Sequence, residues 1–492
     1  MPITRRSLLA GAVAGGALTG IGALSGCAST GSTGTGSTSA VPTAVSGDPL
    51  PDASSLQIST SELVPLQLFA WEGFLGEALF ALGAASSQTS EVGEVLRIVQ
   101  TINVATGNPA EPDTGDFDAY CESFSAFGDQ LAGLASATAD ASPVTAKNRF
   151  LRASTYATQE LFFILGSSAG AREEEVFDKV QGFWNSAVDL MSPKVERFEV
   201  SSDFGPIPGY FFAPDESRDP RPTLIISSGS DGQNVESMQF GVTAGLERGF
   251  NIVLFEGPGQ MTPLFVNSVV FTPDWDQVVG PVLEWAKARP DVGKIGLVGI
   301  SFGGMLCARA AAKLDGLSAV VLEPAAYDSI ALWKDTAAVA QVQQSLNQPA
   351  AEQDKVKQQV NQVITDAWPN LGRATQFEIF KRGSIYTKAM QADARADRAP
   401  SDYYALLSTM ATFNFEDDYR NIKIPTMLTA NQGDQFFQDQ SVQAFQWLTQ
   451  VPTDQKQLLE LTAAQGAQLH DQPTGPQVAQ EYIFDWVTPY LR

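Results

Sequence analysis

Few residues in this chain have both the type and the setting to do chemistry. Ser301 stands at the centre of Gly299-Ile300-Ser301-Phe302-Gly303, a G-x-S-x-G followed at once by Gly304. Ile295, Leu297 and Val298 form a short apolar run before it, and from Gly303 onward small and apolar residues recur at helical spacing. The segment therefore reads strand, sharp turn, helix. A serine at such an apex has its hydroxyl pushed out of the fold, and neighbours without side chains let strand and helix approach closely. A hydroxyl attacks a carbonyl only when a base takes its proton, and the chain has one histidine, His470. If a histidine-dependent base operates, its identity is settled. Asp434, in Asn431-Gln432-Gly433-Asp434 just past the run 426–430, is the candidate to hold the imidazole in one tautomer and stabilise its charged form. Asp434 also has the plainer reading of a turn or cap residue. Glu323, ending the run 318–322, is a rival acid, and Asp471 beside His470 is expected to point elsewhere, into solvent.

Acyl transfer also requires donors for a developing oxyanion. The amide of Phe302, opening the helix, is one candidate. The loop Ser227-Ser228-Gly229-Ser230-Asp231-Gly232 is expected to supply the other, from the amide of Ser230 first and Asp231 second, unless it is merely a tight turn. Glu256-Gly257-Pro258-Gly259-Gln260 reads as a rigid loop shaping the pocket, with no chemical step of its own.

These residues must be carried by something. Short runs rich in β-branched or apolar residues occur at 195–200, 209–212, 223–227, 251–255, 295–298, 318–322, 426–428 and 457–461. Helical stretches at 237–247, 275–289, 303–314 and 478–487 separate or follow them. Strands alternating with helices predict an α/β fold, a mostly parallel sheet with helices on both faces, and the closely spaced first pair suits an antiparallel edge. In open sheets of this kind function gathers at the carboxyl ends of strands, where Ser301, Asp434 and His470 all fall. The stretch 328–420 is helical, polar and too long for a plain connection, so it is expected to form an inserted lid. Residues 194–327 and 421–492 then make the catalytic domain, and 55–193 a helical cap domain. Its aromatic stripes (Phe69, Trp71, Phe74; Phe162, Phe163; Phe183, Trp184) read as packing.

The amino-terminal stretch is different in kind. Thr4-Arg5-Arg6-Ser7-Leu8-Leu9 and an uncharged run to Leu24 resemble a twin-arginine export signal, and Leu24-Ser25-Gly26-Cys27 resembles a bacterial lipobox. Residues 1–27 are thus expected to be a leader ending at a lipid-anchored Cys27, placing the protein on the extracytoplasmic face of a membrane. Residues 28–54, rich in Ser, Thr and Gly, read as a flexible tether.

Composition excludes several classes. With a formal charge of −24 and only 31 Lys plus Arg, phosphate backbone would be repelled, so no nucleic-acid partner is expected. Three cysteines, one of them in the leader, exclude a disulfide framework, and Cys307 falls in the helix after Ser301 as a small buried hydrophobe. No metal or other cofactor is expected: one histidine makes a zinc site implausible, and no dinucleotide fingerprint stands in the right context. A small-molecule substrate is the expected partner, with self-association left open.

Glu256 to Gln260 after a strand, GISFGG at 299–304, GDQFF at 433–437 and the late histidine resemble α/β-hydrolases of the FrsA-like and 2,6-dihydropseudooxynicotine-hydrolase-like group. The resemblance covers roughly residues 140–492 and includes RFLRASTY at 149–156. It implies a helical domain ahead of the catalytic one and a serine hydrolase acting on esters, peptides or carbon-carbon bonds. Ser228-Gly229 stands where a Gly-Gly pair is common and Glu256 where Asp is common, so the pocket is expected to differ from relatives. The expected activity is a carboxylesterase-type acyl hydrolysis. A peptidase or carbon-carbon hydrolase is the enzymatic alternative, and a non-catalytic binding lipoprotein on the same scaffold is the rival from another class.

Overall fold

The computed structural model describes residues 68–492, apart from 108–109, 111, 113–115 and 438. The expected leader with Cys27 and the tether at 28–54 lie outside the described residues.

Each of the eight apolar runs is a strand: β1 (Glu196–Ser202), β2 (Gly205–Phe212), β3 (Arg221–Ser227), β4 (Asn251–Phe255), β5 (Val292–Ile300), β6 (Leu317–Glu323), β7 (Thr426–Asn431) and β8 (Lys456–Leu461). They form one sheet in the order β1-β2-β4-β3-β5-β6-β7-β8. β1 pairs with β2 and β2 with β4 antiparallel, and every later pairing is parallel. Every residue of β4 and β7 is buried. That is why these strands read as continuous runs, since a strand covered on both faces has no solvent side to alternate with. β1, at the edge, does alternate, exposing Glu196, Arg197 and Glu199, and charge on an edge discourages further pairing.

Helices cover both faces. A side-chain carbon placed on Gly296 would meet Leu491 at 3.0 Å, whereas one on Gly299 would collide with the carbonyl of Gly303. Residues three apart on a strand face opposite ways. The helix Pro476–Leu491 therefore packs on one face of β5 and the helix Phe302–Lys313 on the other. One expected helix, 237–247, is broken. A short 3-10 turn, Glu236–Met238, is separated from the helix Val242–Glu247 by Gly241, whose φ of 131° is open only to glycine.

Ahead of the sheet lie the helices Glu72–Gly83, Val92–Thr106, Asp116–Ser136, Pro143–Phe163 and Glu173–Asp189. The last opens with Glu173, Glu174 and Glu175, which complement the helix dipole. Their core is aromatic: Phe74 stacks on Tyr120 at 4.8 Å and meets Phe117 and Phe163 edge-on at 5.2 and 5.0 Å. Phe377, from the insertion's helix Arg373–Gly383, enters the same core at 5.1 Å from Phe117 and 5.3 Å from Phe163. Arg373 donates to the carbonyls of Gly166 and Ser167, and Arg395 bridges Glu173 and the carbonyl of Phe265. Cap and insertion thus share one core. The insertion is closed at its neck, where Ser329 N–H donates to Phe413 and Phe415 N–H to Tyr327. The helix Glu416–Asn421 beyond the neck joins the catalytic domain through the Arg309–Asp418 ion pair at 3.1 Å. Among the described residues no helix is long and apolar enough to cross a membrane.

Candidate active site

Ser301 occupies the corner between β5 and the helix Phe302–Lys313 with φ 51° and ψ −124°, a conformation costing a non-glycine residue about 1–3 kcal/mol. The surroundings hold it there. Ser301 N–H donates to the carbonyl of Glu323 on neighbouring β6 at 2.7 Å. Gly303 lies so close to the end of β3 that a side-chain carbon would sit 2.5 Å from the carbonyl oxygen of Ser228. This is the packing that the flanking glycines of the motif permit.

The other two residues come in from β7 and β8. His470 Nε2 lies 2.9 Å from Ser301 Oγ, and His470 Nδ1 lies 2.9 Å from Asp434 Oδ2. With Nδ1–H donated to the carboxylate, Nε2 is free to accept the serine proton. Asp434 Oδ1 accepts the amides of Phe436 and Phe437, both at 2.8 Å, so the carboxylate is held from the other side as well. The two phenyl rings edge the imidazole at 4.8 and 5.0 Å. Asn431 Nδ2 donates to Leu469 and Gly433 N–H to Gln468, which ties the acid's turn to the histidine's loop. Burial pulls the imidazole's proton affinity down, but Asp434 and Asp471 outweigh it and raise His470 to about 9.

The loop after β3 abuts the serine: a side-chain carbon on Gly229 would lie 2.7 Å from Ser301 Cβ. Gln260 Nε2 donates to the carbonyls of both Ser228 and Gly229, turning them toward the 256–260 loop. Glu256, fully buried, accepts from Gln181, Asn234 and the amide of Thr262, and so joins the cap helix Glu173–Asp189 to both loops. The Asp231 carboxylate faces the lid, where it meets Lys381 Nζ at 3.1 Å and Arg382 Nη1 at 2.5 Å. Burial would raise Asp231, yet these two cations bring it down to about 2. Arg382 also lies over Phe436 at 4.8 Å, and Lys381 over Phe162 at 4.4 Å. Phe162 is thus half-buried against the lid's cations, unlike its neighbour Phe163 in the core.

Lys381 and Arg382 have no sequence signal beyond a basic pair on a helix. Asp471 needs correction: it is 6% exposed, not solvated, and its Oδ1 is 3.5 Å from His470 Nε2. The turn 470–472 folds it inward through two successive residues with positive φ, Asp471 at 54° and Gln472 at 50°. Glu323 is buried beneath the corner and does not reach the imidazole's Nδ1, which Asp434 occupies. Cys307 is fully buried, and burial pushes its thiol up to about 12.

A serine-bearing corner after a central parallel strand, with an acid and a histidine following β7 and β8 of the same sheet, defines the α/β-hydrolase fold, and the chain has that fold. Residues 210–467 match the family model described as X-Pro dipeptidyl-peptidase (S15 family), and the chain belongs to that family. It is 30% identical over 257 residues to a protein named hydrolase acrC from Aspergillus aculeatus, covering 48% of this chain and 58% of that one. It is 28% identical over 258 residues to alpha/beta hydrolase xenA from Xenoacremonium sinensis, covering 49% and 57%. The chain thus spans little more than half the length of these relatives. The solved structure of 2,6-dihydroxy-pseudo-oxynicotine hydrolase superposes with a TM-score of 0.56 at 17% identity, over 83% of this chain and 95% of that one, a likeness of fold.

Proposed function

We propose that the protein is a serine hydrolase, a carboxylesterase-type acyl hydrolase working through Ser301, His470 and Asp434 on a small-molecule ester. The observation that carries the reading is the unbroken relay of 2.9 Å contacts from Ser301 Oγ to His470 Nε2 and from Nδ1 to Asp434. His470 takes the proton as Oγ attacks the ester carbonyl, Asp434 stabilises the imidazolium, and the amides of Phe302 and Ser230 hold the oxyanion. Collapse expels the alcohol, which takes the Nε2 proton, and leaves an acyl group on Ser301. Water, deprotonated in turn by His470, releases the acid. Ester hydrolysis asks least of a pocket, which is why it precedes amide cleavage.

Replacing Ser301 with Ala is expected to abolish fluorophosphonate labelling and to lower turnover of short p-nitrophenyl esters by roughly 10⁴-fold or more. Labelling that survives in the variant would remove Ser301 from the role. Membership of the X-Pro dipeptidyl-peptidase (S15) family favours a second reading, cleavage of X-Pro peptides. Faster turnover of Gly-Pro-p-nitroanilide than of p-nitrophenyl acetate would put it first. No turnover or labelling by folded protein would favour a binding lipoprotein. We further propose that Cys27 is lipidated and tethers the enzyme outside the cytoplasm; a Cys27→Ala protein that still partitions with membranes would refute this.

A further inference from the structure

Beside the imidazole lies a second carboxyl group that the steps above do not use. Asp471 Oδ1 is 3.5 Å from His470 Nε2, on the nitrogen that faces Ser301, and it has no hydrogen-bond partner among the described residues. Behind it is Glu323 at the end of β6, 1% exposed, with neither carboxyl oxygen hydrogen-bonded among the described residues. A carboxyl group as buried as that of Glu323, with neither oxygen paired, strongly disfavours its charge. Moreover, Asp471 is turned inward by two successive positive-φ residues, although φ > 0 is unfavourable for glutamine in particular. The chain accepts backbone strain to bring a carboxyl group to the working nitrogen.

We propose that Asp471 is a positioning residue that shares one proton with His470 and, by taking it onto its carboxylate, leaves Nε2 free to receive the proton of Ser301. The inference rests on the Ser301–His470 reading above. The step is a transfer along one contact: the Nε2–H bond of the imidazolium breaks, an O–H bond forms on Asp471, and a neutral imidazole faces a neutral acid. No other reactant is needed. The same proton count, one for the pair, covers both arrangements, so the reactive one is populated without a change of pH.

The surrounding charges favour this exchange. Asp434 after β7 holds Nδ1, and with Asp434 and Asp471 both ionised the imidazole would keep its second proton up to about 9, too firmly for a base at neutral pH. Burial first, then Asp434 and Asp231, push Asp471 up to about 7, against the lowering pull of His470 and the Ser301 amide. Burial and Asp471 push Glu323 up to about 8, so it faces Asp471 as a neutral acid at pH 7. Glu236 on the 3-10 turn is a further acid within its field, and Arg382 from the lid opposes the imidazolium.

Because His470 is the only histidine, its titration can be read without assignment by nitrogen NMR of the labelled imidazole. In the wild type it is expected to be spread over two steps, and the fluorophosphonate labelling rate should rise with pH in the same two steps. Asp471→Asn and Asp471→Gly both suit the positive φ and remove the carboxylate. Each should collapse both curves to a single step lying roughly one unit below the upper wild-type step. A one-step wild-type titration with an unmoved midpoint in both variants would overturn the role given to Asp471 while leaving Ser301 and His470 in place. A wild type that never labels would instead sink the underlying reading, and this one with it.

Discussion

The two sides of the candidate active site are built by different means. On the sheet side, Ser301, Asp434 and His470 follow β5, β7 and β8, so their separation is set by strand spacing and register, and each is locked by backbone hydrogen bonds. On the lid side, Lys381 and Arg382 reach Asp231 from a helix far away in the chain and rest on Phe162 of the cap, so side-chain charge and ring contacts make this junction. Register is a rigid ruler; ion pairs between long side chains are adjustable.

Breaking the sheet side should therefore cost activity and little stability. Asp434→Asn keeps the size and the acceptor for Phe436 and Phe437 but loses the charge, and kcat should fall by about 10⁴-fold. The same change removes the foremost of the charges that raise His470, so the acid limb of any residual activity should move to lower pH. Pre-steady-state kinetics across pH would show both; a kcat within tenfold of wild type would mean that Asp434 does not govern the imidazole.

Breaking the shared aromatic core of cap and lid should do the reverse. Phe377 is fully buried among Trp71, Phe117, Phe162 and Phe163, so Phe377→Ala should destabilise by about 3–4 kcal/mol. Urea unfolding followed by tryptophan fluorescence would measure it. If cap and lid unfold as one unit, the Phe377→Ala transition stays cooperative; a separate early transition would show that the lid comes off alone.

The contrast also explains what could be read from the sequence. Doubly covered strands advertise themselves as unbroken β-branched runs, and residues just past their ends inherit positions at the sheet's carboxyl edge. Ser301, Asp434 and His470 could be placed on one rim for that reason. The break at Gly241 was hidden because a glycine inside apolar periodicity does not announce its φ. Asp471 departs from expectation because an acid beside a histidine in a loop looks solvated until two positive-φ residues turn it inward. Lys381, Arg382 and Phe162 carried no local signal at all: their role depends on which distant helix lies opposite, and the pairing of Asp231 with Arg382 spans 151 residues.

The smallest effect separates charge from packing on the lid side. Arg382 is paired with Asp231 and also covers Phe436, so Arg382→Ala should cost roughly 1–2 kcal/mol at neutral pH, with Lys381 still holding part of the charge. The folded Asp231 is depressed to about 2, below its ordinary value near 3.9. The pair's contribution is therefore complete above about pH 4 and is lost as pH falls through 2. Arg382→Ala and wild type should then differ in urea midpoint at pH 7, converge as the pH approaches 2, and be brought together at pH 7 by Arg382→Lys. A difference that stays constant with pH would mean that the guanidinium acts by covering Phe436 and Phe162, and that the lid is held against the catalytic loop by packing rather than by charge.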